Sequence, residues 1–386
     1  MIKFPFAISH AVHWADAGKE LAAQLANRSH SGGTKTVGWL YATDMHTNNL
    51  ERIVSDLRTA TGVDDWIGSI GMGVCWHNGD DNFGETFGER AVIAMIADYP
   101  NNSFSIFPPL YESTAEISDS LKSWMKHSSP SFGVVHGDPT ERNVLGLVEA
   151  LSVEMENVPL EIPGFLVGGL TSSHRDHLQI AKEVFNGGLS GIMFAPGVEV
   201  ATGLTQGYTP IGAAHRVTES RENVVIRLNG EPAIIALKSD VSELLPSDIN
   251  QFAGNIHAAF PVTGSDIGDY LVRNIEGIDV ERGWLALGGS VQTGDQLIFV
   301  RRDPAGAEKD LVRMVSGLMD RLPGPARGGL YFSCLARGPY LFGTEGREME
   351  IIGEIMKDVP LVGFFGQGEI SNNRLYGYTG VLALFL

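Results

Sequence analysis

The fold is decided by Gly329-Leu-Tyr-Phe-Ser-Cys-Leu-Ala-Arg-Gly338, a helical segment, and then Pro360-Leu-Val-Gly-Phe-Phe-Gly-Gln-Gly-Glu-Ile370. Both runs are apolar and of strand length, and the segment between them has apolar residues at helical spacing. The first run ends in a thiol and a guanidinium, Cys334 and Arg337, whereas glycines and an acid interrupt the second. Bare backbone beside a soft sulfur, a fixed cation and a carboxylate indicates a shaped pocket more than a plain core.

The order helix, strand, helix, glycine-rich strand, strand occurs three times along the chain. In the first unit, the second helix has Leu50, Ile53, Val54 and Leu57 at the i, i+3, i+4, i+7 spacing of one face. The other predicted segments of this unit are helix 15–28, strand 36–43, the glycine run 66–74 and strand 89–96. The second unit is predicted as helix 117–127, strand 132–136, helix 144–151, glycine run 164–170, an extra helix near 174–183 and strand 189–194. The third is predicted as helix 311–318, strand 330–334, helix 352–359, glycine strand 361–370 and strand 380–385.

Alternating helix-spaced and strand-spaced segments predict an α/β or α+β fold in which helices cover layered, mixed β-sheets. Residues 198–305, between the second and third units, are rich in strand signals, with one helix predicted near 241–257. A chain of 386 residues is longer than one ordinary core. We therefore expect two domains, 1–230 and 231–386, with the boundary near Gly230.

The bulk composition excludes several classes of protein. A net charge of −18 disfavours nucleic acid and anionic membrane as partners, because both repel an acidic surface. Two distant cysteines, Cys75 and Cys334, supply neither a disulfide framework nor a four-thiolate zinc site. No apolar run reaches the roughly 18–20 residues that span a bilayer, and the N-terminus lacks a signal-peptide pattern. We expect a cytoplasmic location by elimination.

Polar residues follow the first strand of each unit, at Thr43-Asp44-x-His46, His136-Gly-Asp138 and Ser333-Cys334-x-x-Arg337. Ligands of open α/β sheets bind beyond the carboxyl ends of strands, and a following helix offers free N–H groups to an anion. The alternative is that Asp44 and Asp138 are ordinary helix caps or turn residues.

Arg337 is the strongest candidate ligand-binding residue, because a guanidinium holds a carboxylate through two parallel hydrogen bonds. Its alternative role is a structural ion pair with Glu369 across neighbouring strands. Glycines recur where strand propensity is high, at positions 68, 71, 73, 168, 169, 363, 366 and 368. Such glycines mark a close backbone approach, either to a ligand in one shared crevice or to a packed neighbouring element.

Cysteine and histidine leave other chemistries open. Cys334 is a nucleophile, a haem or metal ligand, or an inert buried thiol. His10-x-x-His13 and His174-x-x-His177 are weak zinc patterns, since neither has a third ligand at a motif spacing. Four further histidines are candidate axial ligands of a haem: His46, His77, His136 and His215. The Gly-x-Ser-x-Gly elbow, the P-loop and His-Glu-x-x-His are missing, which argues against an enzyme.

The C-terminal block resembles the C-terminal half of the FIST sensory module, through Ser333-Cys334-Leu-Ala-Arg337-Gly338 and Pro360-Leu361-x-Gly363-Phe364-Phe365-x-x-Gly368-Glu369-Ile370. The end of the N-terminal half of that module is similar to Gln206-Gly207-Tyr-x-Pro210-Ile211-Gly212 and to Asn223-Val-Val-Ile-x-Leu228-Asn-Gly230. The resemblance covers nearly the whole chain from Thr34, and assigns 1–230 to a FIST N-terminal domain and 231–386 to a FIST C-terminal domain.

The resemblance implies a cytoplasmic sensory protein that binds a small molecule, with amino acids as the proposed ligands, and signals in trans to a separate partner such as a histidine kinase. A haem-based nitric-oxide sensor is the first alternative; a thiol enzyme using Cys334 and an interaction scaffold are the others. The predicted ligand-binding residues are Cys334, Arg337, Gly338, Gly363, Phe364, Phe365, Gly366, Gly368, Glu369, Gly168, Gly169, Gln206 and His136. No resident cofactor or metal is expected.

Overall fold

The computed structural model describes residues 2–26, 33–80, 82–156, 164–242, 256–262 and 268–386. They form two compact units. The larger contains Met1–Thr205 and Leu311–Leu386, and the smaller contains Gln206–Asp310. The expected mixed α/β architecture of helix-covered sheets is confirmed.

The elements of the first repeat are β1 (Phe6–Ser9), α1 (Trp14–Leu25), β2 (Thr34–Thr43), a 3₁₀ helix (Asp44–Asn49), α2 (Leu50–Thr61), β3 (Asp65–Gly71), β4 (Gly73–Asn78), β5 (Phe83–Phe87) and β6 (Val92–Pro100). Those of the second are β7 (Phe104–Leu110), a 3₁₀ helix (Thr114–Glu116), α3 (Asp119–Ser128), β8 (Phe132–Gly137), α4 (Val144–Glu156), β9 (Phe165–Leu170), β10 (Leu178–Ala181), β11 (Glu183–Asn186) and β12 (Leu189–Phe194).

The next segment of the chain contains β13 (Val200–Gln206), β14 (Tyr208–Pro210), β15 (His215–Arg221), β16 (Val224–Leu228), β17 (Glu231–Pro232), α5 (Ala233–Val241), β18 (Ile256–Pro261), β19 (Tyr270–Asp279), β20 (Trp284–Leu287) and β21 (Gln296–Arg302). The third repeat continues with α6 (Pro304–Arg321), β22 (Gly328–Cys334), α7 (Pro339–Phe342), α8 (Arg347–Met356), β23 (Pro360–Gly366), β24 (Glu369–Ser371), β25 (Arg374–Tyr376) and β26 (Thr379–Phe385).

Within the described residues, the larger unit has three six-stranded sheets of the same design. Their strand orders are β1-β6-β2-β3-β10-β11, β7-β12-β8-β9-β24-β25 and β13-β26-β22-β23-β4-β5. Each sheet is built around a parallel pair from one repeat and completed by a hairpin from another. The hairpin of each repeat thus leaves its own sheet, in cyclic order, and no repeat has a complete sheet by itself.

A glycine in the second strand of each parallel pair makes this packing possible. The paired residues are Gly68 with Leu40, Gly168 with Val135 and Gly363 with Tyr331. At all three glycines, a Cβ atom would overlap the carbonyl oxygen of the paired residue. Only glycine fits so close an approach of two strands.

Aromatic rings from the three sheets meet in the interior of the larger unit. Trp39 of β2, Phe194 of β12 and Phe385 of β26 contact one another, with ring centroids 5.6–6.4 Å apart. Tyr41, His136 and Phe332 form a second triangle, with ring centroids 5.6–6.3 Å apart. Each of these residues lies on the first strand of a parallel pair, β2, β8 or β22. The second triangle therefore joins corresponding strands of the three repeats.

Local periodicity predicted several helices correctly. The apolar face of α2 is buried as expected, as are Leu311, Met314, Val315 and Leu318 of α6. The helix predicted near 174–183 is wrong, because Leu178–Ala181 pairs with β3 and begins the β10–β11 hairpin. This tertiary pairing overrides the local preference. The helix predicted near 241–257 falls largely outside the described residues; the structure has α5 just before it.

The smaller unit is one strand-rich sheet with the order β14-β21-β15-β16-β20-β19-β18, and β18 also pairs with β21. Gly230 lies inside this unit, in the turn where β16 pairs with β17. As a boundary between two sequence modules, the division near Gly230 stays a prediction. No described helix is both long and apolar enough to cross a membrane.

The glycine contact gives a stability test. Gly363→Ala should lower the free energy of unfolding by about 3 kcal/mol, since overpacking a filled site costs roughly 1–3 kcal/mol or more. Gly197→Ala is the matched control, because no atom lies within 4 Å of the position that its Cβ would occupy. Urea unfolding measures both, and a Gly363→Ala variant as stable as the control would contradict the packing argument.

Candidate functional site

The three polar strand ends predicted from sequence have three different fates in the structure. At the end of β8, Asp138 accepts hydrogen bonds from the backbone N–H and the hydroxyl of Thr140, both at 2.7 Å. This is the local turn role that was the alternative for Asp138. The ends of β22 and β2 form two distinct clusters, one buried and one open.

Arg337, beyond the end of β22, is fully buried and ion-paired with Glu348 of α8. Its Nε donates to Glu348 Oε1 at 2.8 Å, and Nη2 lies 2.7 Å from the same oxygen. The hydroxyls of Tyr331 and Ser333 and the backbone N–H of Gly338 donate to the same carboxylate at 2.6, 3.0 and 3.2 Å. Arg337 therefore forms a structural ion pair, but with Glu348 and not with the expected Glu369; as a ligand-binding residue it stays a prediction. Nη1 has no hydrogen-bond partner among the described residues.

Sequence reasoning missed Glu348, and the signal was present. Glu348 precedes Ile351 and Ile352 by three and four residues, so an acid stands on the buried face of an amphipathic helix. An acid at such a position needs a buried cation or proton as partner, and Arg337 is that cation.

Two further carboxyl groups belong to this buried cluster. Glu369 Oε2 accepts from the N–H and hydroxyl of Thr379, whereas its Oε1 is unpaired within the described structure. Burial raises the pKa of Glu369 to about 8. Burial and the nearby charge of Glu348 raise the pKa of Glu85, on β5, to about 8 as well. Three carboxyl groups thus lie near one guanidinium. Glu348 pairs with it, and the raised pKa values of Glu369 and Glu85 keep these two groups largely protonated at neutral pH.

Cys334 is buried at the edge of this cluster. Burial and the neighbouring Glu369 raise the pKa of its thiol to about 12. A thiol with so high a pKa is protonated at neutral pH and is a poor nucleophile. The geometry matches the inert alternative for Cys334.

The glycines predicted to line a crevice are in contact with protein. A Cβ on Gly366 would lie 2.5 Å from the carbonyl oxygen of Leu170, and one on Gly169 would lie 3.1 Å from the Phe364 ring. Gly368 and Gly338 are equally crowded, by Leu375 and by the rings of Phe87 and Phe365. Close packing therefore accounts for these glycines; as ligand contacts they and the adjacent Phe364 and Phe365, both fully buried, stay a prediction.

His136 is a core residue. Its Nε2 lies 3.1 Å from the Tyr41 hydroxyl, and its ring contacts Phe332 and Phe364. Burial lowers the pKa of His136 to about 3, so the ring is neutral. Gln206 belongs to the smaller unit, where its side-chain amide donates to Tyr270 O at 2.8 Å and its N–H to Asp310 at 2.8 Å.

The other candidate histidines are also enclosed or engaged. His77 Nδ1 lies 3.0 Å from Val359 O, His215 Nε2 lies 2.7 Å from Asp240, and His46 is 1% exposed. Haem binding by any of these residues stays a prediction. No three metal-binding side chains of the described residues are grouped closely enough to hold an ion.

The end of β2 opens into a cleft of about 400 Å³, which is within the usual range for small-molecule sites. The cleft-lining residues are Asp44, Met45, Thr47, Asn48, Asn49, Gly88, Arg90, His174 and Arg175. Asp44 is not the expected helix cap, because its 3₁₀ helix has no side-chain cap. Its Oδ2 instead accepts from the backbone N–H of His174 at 3.0 Å and lies 2.8 Å from His174 Nδ1.

The cleft thus combines one of the predicted strand ends with Arg90, His174 and Arg175, which the sequence did not predict to lie beside it. Arg90 precedes β6, and the sequence pattern predicts it only as part of a strand. His174 and Arg175 lie in the segment wrongly predicted as a helix. No local pattern brings these positions together, since 130 residues separate Asp44 from His174.

Removing the partner of Arg337 should destabilise the protein strongly. Glu348→Gln leaves a buried cation unpaired, which costs about 3–5 kcal/mol. Glu350→Gln, two residues along the same helix, breaks only a partly exposed pair with Arg347 and should cost less than about 1 kcal/mol. Denaturant unfolding at pH 7 measures the free energy of unfolding of both variants. If both lose the same amount, the buried pair does not stabilise the fold as argued.

Glu369 should make stability depend on pH. The pKa of its carboxyl rises from an ordinary value of 4.5 to about 8 in the fold, so the folded state binds more protons between these pH values. The contribution of this carboxyl group to the free energy of unfolding is complete below pH 4.5. It falls as pH rises towards 8, by up to about 1.4 kcal/mol per pH unit for each such group. Glu369→Gln should flatten this fall in unfolding curves at pH 5, 6, 7 and 8, whereas Glu354→Gln, on the exposed side of α8, should not. Parallel profiles for Glu369→Gln and the unmodified protein would refute the assignment.

Comparison with known proteins places these features in a family. The FIST N domain matches residues 36–231 and the FIST C domain matches residues 239–372. An uncharacterized protein of Mycobacterium tuberculosis strain CDC 1551 is 32% identical over 249 residues, 60% of this chain and 64% of that protein. One of Mycobacterium bovis strain AF2122/97 is 32% identical over 245 residues, 60% of this chain and 63% of that protein. The matches therefore span less than two thirds of these relatives. FIST domains are associated with small-ligand sensing in signal transduction, and the chain belongs to the FIST family, with a FIST N domain followed by a FIST C domain.

Proposed function

We propose that this protein is a sensory module that binds a free amino acid in the cleft at the end of β2. The observation that carries the proposal is the presence of opposite charges in one small cleft, the Asp44 carboxylate and the Arg90 guanidinium. An amino acid presents a carboxylate and an ammonium group a short distance apart, and so complements both.

Each charge has capacity for a ligand. Arg90 has no ion-pair or hydrogen-bond partner in the described structure, and a guanidinium binds a carboxylate through two parallel bonds. Asp44 is only 8% exposed and uses Oδ2 for His174. Its Oδ1 accepts no hydrogen bond from the described residues, which leaves it to an ammonium group.

Sensing suits the site better than catalysis. Among the described residues, the cleft lining contains no cysteine and no lysine, no group of metal-binding side chains is found, and the family is a sensory one. We infer that the bound state passes in trans to a separate signalling partner. The segment leading to Arg90 supports this idea: Phe87 packs on Phe365 with centroids 4.4 Å apart and contacts Tyr340, which is 67% exposed.

A thermal-shift screen of the free amino acids tests the proposal. A ligand at a hundredfold excess over its dissociation constant should stabilise the fold by about 2.7 kcal/mol. Asp44→Asn and Arg90→Gln should each abolish the shift, since each removes one of the two charges. Arg142→Gln, which changes an exposed arginine outside the cleft, should leave it intact. A flat response of the folded protein to all amino acids would defeat the proposal.

A further inference from the structure

The cleft carries more positive charge than a simple amino acid needs. Arg90 and Arg175 both line it, and in the described part of the chain neither is in an ion pair. Among the described residues that line the cleft, Asp44 is the one acid, and it is hydrogen-bonded to His174. Two guanidinium groups and one carboxyl group therefore line this cleft, whereas the chain as a whole has 46 acidic and 28 basic residues.

The backbone that presents Arg175 is held in place from both sides. The backbone N–H of His174 donates to Asp44, and that of Arg175 donates to Ser173 Oγ at 2.9 Å. Just before them, Ser172 Oγ donates to Phe365 O and accepts from the N–H of Met72 at 2.8 Å. The side chain of Arg175 is exposed, but its point of attachment is fixed, which reduces the entropy lost when it closes on a ligand.

The positive charge of the cleft does not depend on the histidine beneath it. His46 is buried next to Arg90, and burial together with that charge lowers the pKa of His46 to about 4. His46 is therefore neutral at physiological pH and adds no charge to that of the two arginines.

We propose that the ligand is an acidic amino acid, whose two carboxylates are bound by Arg90 and Arg175 and whose ammonium group is bound by Asp44. This inference rests on the proposed function and adds the second carboxylate to it. Aspartate and glutamate are small enough for a cleft of about 400 Å³. Their amides have nearly the same shape without the second charge, and so provide matched probes.

Isothermal titration of the full chain with aspartate, glutamate, asparagine and glutamine tests the inference. At least one acid should bind tenfold or more tightly than its amide. Arg175→Gln should reduce the affinity for that acid to that of the amide and leave amide binding unchanged. Arg90→Gln should weaken acid and amide alike, and Arg142→Gln should affect neither.

The outcomes separate the two proposals. Amides that bind as tightly as acids, or an Arg175→Gln variant with unchanged affinity for the acid, would overturn the inference while leaving amino-acid sensing intact. Binding of neither acids nor amides, with other amino acids bound, would also overturn it alone. Binding of no amino acid at all would overturn both.

Discussion

The larger unit depends on one repeated contact, the approach of a glycine in one strand to a carbonyl oxygen in the parallel strand beside it. Gly68, Gly168 and Gly363 make this contact, and any Cβ there would collide with the neighbouring backbone. In the interior of the same unit, Tyr41, His136 and Phe332, from the first strands of the three parallel pairs, contact one another. The same requirement for a missing Cβ atom thus occurs once in each of the three repeats.

Exchange of hairpins makes the three repeats interdependent. A two-stranded hairpin is marginally stable alone, and here each is added to the sheet of another repeat. The β4–β5 hairpin of the first repeat carries Glu85 to the sheet of the third, near Glu348. The buried cluster therefore exists only when distant parts of the chain have assembled, which favours cooperative folding of the whole unit.

The sequence predicted the elements that depend on local spacing and did not predict those that depend on contacts between distant parts of the chain. The spacing of apolar residues predicted α2 and α6, because the residues of one helix face recur every three or four positions along the chain. The repeat itself was visible for the same reason. The β10–β11 hairpin was missed, since its strands are stabilised by pairing with β3, far earlier in the chain.

The candidate sites show the same limit. Asp44 and Asp138 follow strands in similar local sequence, yet Asp138 binds Thr140 two residues away and Asp44 binds His174. Arg337 was correctly singled out as a residue in need of a partner, but the choice between Glu348 and Glu369 is made by tertiary packing. Glycine patterns alone do not distinguish a ligand crevice from close packing, because both require a missing Cβ.

The two charged clusters differ in how their charges are compensated, and this difference favours one of them as the place for a ligand. In the buried cluster, charges are removed: Glu85 and Glu369 are held protonated, and Glu348 pairs with Arg337. A charged ligand entering there would lose its hydration and break an optimised pair, which is costly in a low-dielectric interior. In the cleft, Arg175 is exposed and Arg90 is half-buried. The proposed ligand would exchange water for guanidinium groups there without breaking an ion pair of the described residues, and residues 85–90 connect this cleft in sequence to Glu85 of the buried cluster.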